Sequence, residues 1–369
     1  MNNAKHTESA TKSFRIVALP GDGVGPEVYA AAVAALDVLG PRFGLGFDLD
    51  EQLIGGAALD ATGDPLPEAT ITACREADAI LLGAVGGPKW DPNPPQLRPE
   101  KGLLRIRAEF GLYCNLRPVV THPALHAFSP LRPEKLQNVD LMIVRELTGG
   151  IYFGEKRREG DRAIDVCSYT RDEIARVTRK ACDIAMQRDR RVTQVDKANV
   201  LETSRLWREV STQVVADEYP QISLEHQLVD SCAMHLLTRP ASFDVVLTEN
   251  LFGDILSDEA SMLCGSMGLL PSASLAESNF GLYEPVHGSA PDIAGQGIAN
   301  PYAMLLSLAM LLRHSLQQAE AAACLEQAIF DCWEAGVLTC DLVKDGCSTT
   351  EVIDEVCHRL AGSTGTAKS

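Results

Sequence analysis

Asn250-Leu-Phe-Gly-Asp-Ile-Leu-Ser-Asp-Glu-Ala260, reached through the apolar run Phe243-Asp-Val-Val-Leu247, decides how the rest of the chain is read. Asp254 and Asp258 stand four positions apart, a spacing that stacks both carboxylates on one face of a helix. Like charges so close repel unless something cationic lies between them. A hard divalent ion is the natural occupant, since Mg²⁺ uses one or two protein carboxylates together with substrate and water. The same pair also fits a solvated acidic face, or Asp254 as a favourable charge in the first turn of a helix. The run 243–247 reads as a buried strand that delivers the pair at its carboxyl end, where ligands bind in open α/β sheets.

Working outward, 369 residues suit two domains with ample core, and 46% hydrophobic with 22% charged residues is ordinary for a globular protein. A formal charge of −17 argues against nucleic acid or an anionic membrane, both of which demand a basic surface. A small anionic substrate needs only a local arginine cluster. The eleven cysteines are scattered and odd in number, as free thiols in a reducing compartment are. Residues 1–13 are polar, include Glu8 and lack the apolar centre of a signal peptide, and Ala303–Leu312 is too short to span a bilayer. These features predict a soluble, cytoplasmic protein with disorder confined to its two ends.

Strands and helices alternate along the chain. Phe14–Leu19 predicts a strand, Gly21-Asp-Gly23-Val-Gly25-Pro26 a tight turn, and Val28 to Leu39 a helix with Pro26 in its first turn. The turn has the wrong third position for a dinucleotide fingerprint and reads instead as a strand–helix joint bordering a site. Further strands are predicted at Ala79–Val85, Val139–Arg145, Arg191–Val195 and Leu228–Asp230, and a helix at Glu100–Phe110. Asp172 and Ser204 are expected to cap two more helices, and Asn300-Pro301 to open the apolar one at 303–312. Residues 156–168, charged and irregular, suit an arm or hairpin reaching away from the body. Glu284 to Gly295 is too rich in Gly and Pro for any regular element. The alternation points to an α/β fold.

Several side chains then stand out, each with a plain alternative. Arg107, Arg117 and Arg145 have the planar fork that holds carboxylates bidentately, or are ordinary ion-pair partners. Lys197, just after a strand, suits a proton acceptor beside a metal, or a salt bridge with Asp196 or Glu202. Tyr152, in a glycine-rich stretch, can donate a proton or pack as a ring. Asp230 is a third metal carboxylate or a helix cap, and His287 a loop-shaping residue or part of a site.

Together these segments resemble the metal-dependent β-decarboxylating dehydrogenases, the isocitrate/isopropylmalate dehydrogenase family. Val144-Arg-Glu-Leu-Thr-Gly-Gly-Ile-Tyr-Phe-Gly154 and His287-Gly-Ser-Ala-Pro-Asp-Ile-Ala-Gly295 carry the resemblance most specifically, within a match from residue 14 to about 357. It implies a two-domain fold, a mixed sheet flanked by helices rather than a Rossmann fold. One domain would take 1–112 and 265–369, the other 113–264, with the site in the cleft between them. It implies that Arg107, Arg117 and Arg145 hold substrate carboxylates, that Asp230, Asp254 and Asp258 bind Mg²⁺ or Mn²⁺, and that Lys197 and Tyr152 handle protons. Lys197 and Asp230 would enter from the neighbouring subunit of a homodimer, with the region 156–168 helping to build it.

The resemblance also implies that NAD lies on the loop from Gly288 to Asn300. His287, Gly288, Ser289, Ala290, Pro291, Asp292, Ile293 and Asn300 would take part, with Glu100 and Asn199 near the nicotinamide. A carboxylate at Asp292 would accept from a ribose hydroxyl and repel a 2′-phosphate, favouring NAD over NADP. Leu103, Leu104 and Val200 would form an apolar wall for an isopropyl group, so the implied reaction is the oxidative decarboxylation of 3-isopropylmalate in leucine biosynthesis. Siblings acting on tartrate, D-malate or homoisocitrate, and a catalytically idle paralogue, are the alternatives. Cys232, next to the implied ligand Asp230, would make the site sensitive to oxidation.

Overall fold

The computed structural model describes residues 12–362. The expectations for residues 1–13 and for the disordered ends therefore fall almost wholly outside the described residues. Twelve strands are β1 (Lys12–Gly21), β2 (Leu45–Glu51), β3 (Ala79–Ala84), β4 (Cys114–Val120), β5 (Asp140–Glu146), β6 (Lys156–Glu159), β7 (Arg162–Asp165), β8 (Arg191–Asp196), β9 (Ser223–Leu228), β10 (Val245–Thr248), β11 (Pro271–Leu275) and β12 (Gly281–Pro285). The helices are α1 (Gly25–Phe43), α2 (Gly55–Thr62), α3 (Glu68–Arg75), α4 (Pro99–Glu109), α5 (Pro133–Leu136), α6 (Arg171–Met186), α7 (Glu202–Glu218), α8 (Val229–Thr238), α9 (Asn250–Ser261), α10 (Tyr302–His314), α11 (Ala319–Glu334) and α12 (Thr349–Gly362).

Ten of the described strands form one mixed sheet in the order β2-β1-β3-β12-β11-β4-β5-β10-β8-β9. The outer groups β2-β1-β3-β12 and β5-β10-β8-β9 are parallel, and β12-β11-β4-β5 pair antiparallel. The two halves meet where β11 pairs β4, through Ala273–Leu116, Ser274–Asn115 and Leu275–Cys114. The parallel strands are apolar runs because helices cover both faces: every residue of β3 and β10 is buried. α10 is apolar all round and buried from Tyr302 to Leu312 except at Leu306, the pattern of a core helix. No described helix is long and apolar enough to cross a membrane.

Local details differ from the sequence reading where side chains find better partners. Helix α6 is capped not by Asp172 but by Thr170, whose hydroxyl accepts from the Glu173 N–H while the Glu173 carboxylate accepts from the Thr170 N–H at 2.7 Å. That reciprocal pair satisfies two end groups at once, and Asp172 is left as a first-turn charge. Ser204 lies inside α7 and accepts the Lys197 N–H at 3.1 Å, so it shapes the preceding loop instead of capping the helix. Asn300 does serve the start of α10, accepting from the Tyr302 N–H at 3.0 Å, but Pro301 stays outside the helix. Asp230 sits in the first turn of α8, past the end of β9. Strands β6 and β7 pair only with each other, as an exposed hairpin within the irregular stretch.

Candidate active site

Helix α9 follows β10 directly, so Asp254 and Asp258 lie beside β4 and β5, which carry Arg117 at mid-strand and Arg145 near the strand end. Arg145 is 4% exposed, and its guanidinium donates to Asn250 Oδ1 at 3.1 and 2.8 Å and to Asp254 Oδ1 at 2.5 Å. Gly253 makes the approach possible, because a Cβ there would lie 2.5 Å from Arg145 Cγ. Arg117 donates to Asp258 Oδ1 at 2.9 Å, Ser257 Oγ at 2.7 Å and Asn115 Oδ1 at 3.1 Å. The Tyr152 hydroxyl donates to Asp254 Oδ2 at 2.5 Å, and the Arg145 guanidinium lies 5.6 Å from the Tyr152 ring centroid. Five of the sequence-derived residues are thus joined in one cluster.

The electrostatics follow from these contacts. Burial alone would raise the Asp254 carboxyl, but Arg145, the Tyr152 hydroxyl and Arg117 outweigh it and hold it below its ordinary value. Burial pulls Arg145 down to about 10, Asp254 opposes that, and the neighbouring cations Arg117 and Arg107 add to it. Tyr152 is pushed up to about 12 by burial and by the Asp254 carboxylate, so it keeps its proton at neutral pH. Arg107, on α4, pairs with Glu284 of β12 at 2.7 Å, and both side chains are largely buried. The three arginines thus share one electrostatic neighbourhood, balanced here by carboxylates.

Lys197 and Asp230 form a separate pair at 2.9 Å, with the Asp230 side chain 61% exposed. Lys197 pairs with neither of its sequence neighbours, because Asp196 accepts from Arg208 at 2.6 and 3.0 Å and Glu202 pairs with Arg205. Lys197 holds the Asp230 carboxyl below its ordinary value. Among the described residues no three His, Cys, Asp or Glu side chains are arranged to hold a metal, so Asp230 does not join Asp254 and Asp258 within the chain. The apolar wall is not closed within the chain either. Leu103 and Leu104 are half-buried on α4, whereas Val200 is 61% exposed and Asn199 exposed, in the loop after Lys197. Cys232 is buried, and burial pushes its thiol up to about 12, which overturns the expectation of an oxidation-sensitive site.

The loop after β12 packs on the glycine turn after β1. The Val24 N–H donates to the Ser289 carbonyl at 2.8 Å, and a Cβ on Gly23, at φ 60°, would lie 1.9 Å from that oxygen. His287 contacts the Gly288 carbonyl through Nδ1 at 2.9 Å, while its Nε2 is buried without a partner and burial lowers its pKa. Gly288, Pro291 and Asp292 are exposed, Ser289 and Asn300 buried, and Ala290 and Ile293 pack on the core. Asn300 donates to Asp341 Oδ2 at 3.1 Å. Glu100 reaches back to Gly86, where a Cβ would lie 2.8 Å from its Oε1.

Four supporting residues escaped the sequence reading. Asn115 and Asn250 are buried acceptors that aim Arg117 and Arg145. Glu284 anchors Arg107. Asp22, 4% exposed, accepts the N–H groups of Gly56, Ala57 and Gly86 at 2.8, 2.7 and 2.9 Å and so ties its own turn to the start of α2 and to the loop after β3. The only available signal was a polar residue between glycines or at a strand end, which is common in turns.

Hard oxygen donors at Asp254 and Asp258 suit a divalent ion of the Mg²⁺ class. The buried, unpartnered His287 Nε2 suits a group lying on the 287–300 loop, whose Ser289 backbone takes up the space left at Gly23.

A mixed sheet that brings a helical carboxylate pair together with arginines from β4 and β5 fits the dehydrogenases of 2-hydroxy acids that bear further carboxylates. The comparisons agree: residues 15–356 match the model described as isocitrate/isopropylmalate dehydrogenase, and the chain belongs to that family. It is 59% identical over 333 residues to the 3-isopropylmalate dehydrogenase of Priestia megaterium, covering 89% of this chain and 90% of that protein. It is 54% identical over 352 residues to the 3-isopropylmalate dehydrogenase of Geobacillus kaustophilus, covering 93% and 95%. Its fold is similar to the crystal structure of isocitrate dehydrogenase from Methylococcus capsulatus, with a TM-score of 0.84 and 35% identity over 94% of this chain and 99% of that one.

Proposed function

We infer that this chain catalyses the oxidative decarboxylation of 3-isopropylmalate to 4-methyl-2-oxopentanoate and CO₂ with reduction of NAD, in leucine biosynthesis. The observation that carries the reading is the junction of Arg117, Arg145 and Tyr152 on Asp254 and Asp258, beside relatives of that name.

Arg107, Arg117 and Arg145 hold the substrate carboxylates, exchanging bonds with Glu284, Asp258 and Asp254 for bonds to substrate. Asp254 and Asp258, with Asp230 from a second copy, would hold Mg²⁺ or Mn²⁺, which would supply Lewis acidity toward a 2-hydroxy acid. Residues His287, Gly288, Ser289, Ala290, Pro291, Asp292, Ile293 and Asn300 would hold NAD, with Glu100 and Asn199 at its nicotinamide end, and the bound cofactor would supply the hydride acceptor. Lys197 removes the proton of the C2 hydroxyl, and Tyr152, protonated at neutral pH, returns a proton to carbon after CO₂ leaves. Leu103, Leu104 and Val200 contact the isopropyl group.

The site lies in a cleft between a domain of residues 1–112 with 265–369 and a domain of residues 113–264. A homodimer completes it. Supporting this, Met234 and Leu237 on α8 and Ile255 on α9 are exposed at 59%, 42% and 56%, and Val200 and Leu201 are exposed as well. Large apolar side chains gathered on adjacent helices mark an interface. A cytoplasmic location fits the free cysteines.

The test is NADH formation with Mg²⁺ on racemic 3-isopropylmalate beside D-malate, tartrate, isocitrate and homoisocitrate, with EDTA and Lys197→Ala controls. The expected result is the highest rate on 3-isopropylmalate, lost with EDTA and in the variant. A higher rate on another acid overturns the substrate, and no turnover on any of them overturns the activity.

A further inference from the structure

Between the two halves of the sheet lies a cavity of about 600 Å³ that the chemistry above does not use. One wall is built from β4 and α6, through Leu116, Val120, Lys180 and Ile184. The other comes from the approach to β11 with α10 and α11, through Leu270, Met310, Phe330 and Trp333. That volume is within the range of small-molecule sites, roughly 300–1,000 Å³, and a mostly apolar lining with a few convergent polar groups is their usual character.

The polar groups around it divide into closed and open. Arg313 is held bidentately by Glu326 at 2.5 and 2.6 Å, and Arg188 is held by Asp140 and Asp244, each at 2.7 Å. Asp183 accepts from the Tyr219 hydroxyl at 2.8 Å. What remains open is donor capacity. Lys180 makes no ion pair among the described residues, and the indole N–H of Trp333, a residue only 4% exposed, is buried without an acceptor. His314 faces Arg313 and Lys180, and burial with these two cations lowers its pKa to about 4, so at neutral pH it adds a neutral ring and no charge. The Trp333 N–H is enclosed by protein, so the donor that an occupant meets is the Lys180 ammonium.

We propose that this cavity is a second binding site, for an amphipathic carboxylate whose aromatic or branched body lies on Phe330 and Met310 and whose carboxylate is taken by Lys180. The occupant touches both halves of the sheet. Nothing in the site depends on Arg107, Arg117, Arg145 or the 287–300 loop, so the proposal stands apart from the reaction assigned above.

The test uses the full chain and three probes of one shape: 4-phenylbutanoate, 4-phenylbutan-1-ol and 4-phenylbutylamine. Affinity is read by calorimetry, and location by the indole N–H resonance that Trp333→Phe removes. The acid is expected to bind about ten-fold or more tighter than the alcohol, to leave the amine weakest, and to shift the Trp333 resonance. Lys180→Gln is expected to bring the acid to the affinity of the alcohol while kcat and KM without probe stay unchanged. Leu306→Trp, which fills the cavity, is expected to abolish all binding; should it fail to fold, Lys180→Gln alone decides. Equal binding of acid and alcohol overturns the proposal. So does an unchanged affinity in Lys180→Gln, binding that competes with the substrate instead of moving Trp333, or no binding at roughly 10 mM acid.

Discussion

The cluster on α9 and the pair on Lys197 carry the same kinds of group in opposite circumstances. Around Asp254, every oxygen has a donor within the chain, Arg145 is buried, and Asn115 and Asn250 fix the guanidinium planes. The Lys197 ammonium has one ion pair among the described residues, to an Asp230 carboxylate that is mostly in water. The first region is preorganised by the fold of one chain. The second is held by a single exposed ion pair, and Val200, Leu201, Met234 and Leu237 are exposed on the same segments. Preorganisation is where catalytic power is stored, so the difference teaches which residues this chain fixes in place and which it holds by one screened contact.

The largest effect should come from breaking the finished region. Arg145→Ala leaves Asp254 and Asn250 without their buried donor. It should cost about 3 kcal/mol of stability by denaturant melting, together with most of the activity. A variant that melts like the parent would mean the cluster is not preorganised. Lys197→Ala should behave differently. Activity should fall roughly a thousandfold, as removal of a general base does, while stability moves by less than about 0.5 kcal/mol because the partner is exposed.

Mixing two inactive variants sharpens the contrast. Lys197→Ala and Tyr152→Phe chains, unfolded and refolded together, should recover about a quarter of parental activity. Half the dimers then hold one intact shared site. No recovery would place Lys197 and Tyr152 in the same site of the same chain.

The smallest effect is in acid. The Asp254 carboxyl is depressed in the folded protein, so its contribution to stability is complete above the ordinary carboxylate range and is lost as pH falls through its folded value. Asp254→Asn should therefore flatten the acid limb of a stability-against-pH curve. Asp230→Asn should leave that limb nearly unchanged, although Asp230 is depressed too, because solvent screens its pair with Lys197. Equal slopes for the two variants would erase the distinction between the regions.

Much of this was legible in the sequence, and for physical reasons. Fully buried strands such as Ala79–Ala84 and Val245–Thr248 must be apolar throughout, and a helix buried on all sides such as α10 must be too, so these declared themselves. The carboxylate pair was visible because helical periodicity puts positions four apart on one face. Helix caps were misread because a cap depends on which oxygen reaches the free N–H groups: Thr170 and Glu173 outcompete Asp172 by geometry alone. The roles of Asn115 and Asn250 were invisible because their donors, Arg117 and Arg145, sit two and 105 positions away in ways only folding brings together. The Cys232 expectation failed because proximity in sequence to Asp230 says nothing about exposure. One residue of α8 faces water and the other faces the core.

Asp22 draws the strand ends of the β1–β3 region into a single unit. Its two oxygens are shared among three amides from segments far apart in the chain, and the turn that carries it leans on Ser289. Those loops consequently have no independent elasticity: a length change in any one of them pulls on a common buried anchor and is felt by the others. Engineered insertions at this rim would have to be made beyond the anchor, in the exposed tips, for the rest of the rim to keep its shape.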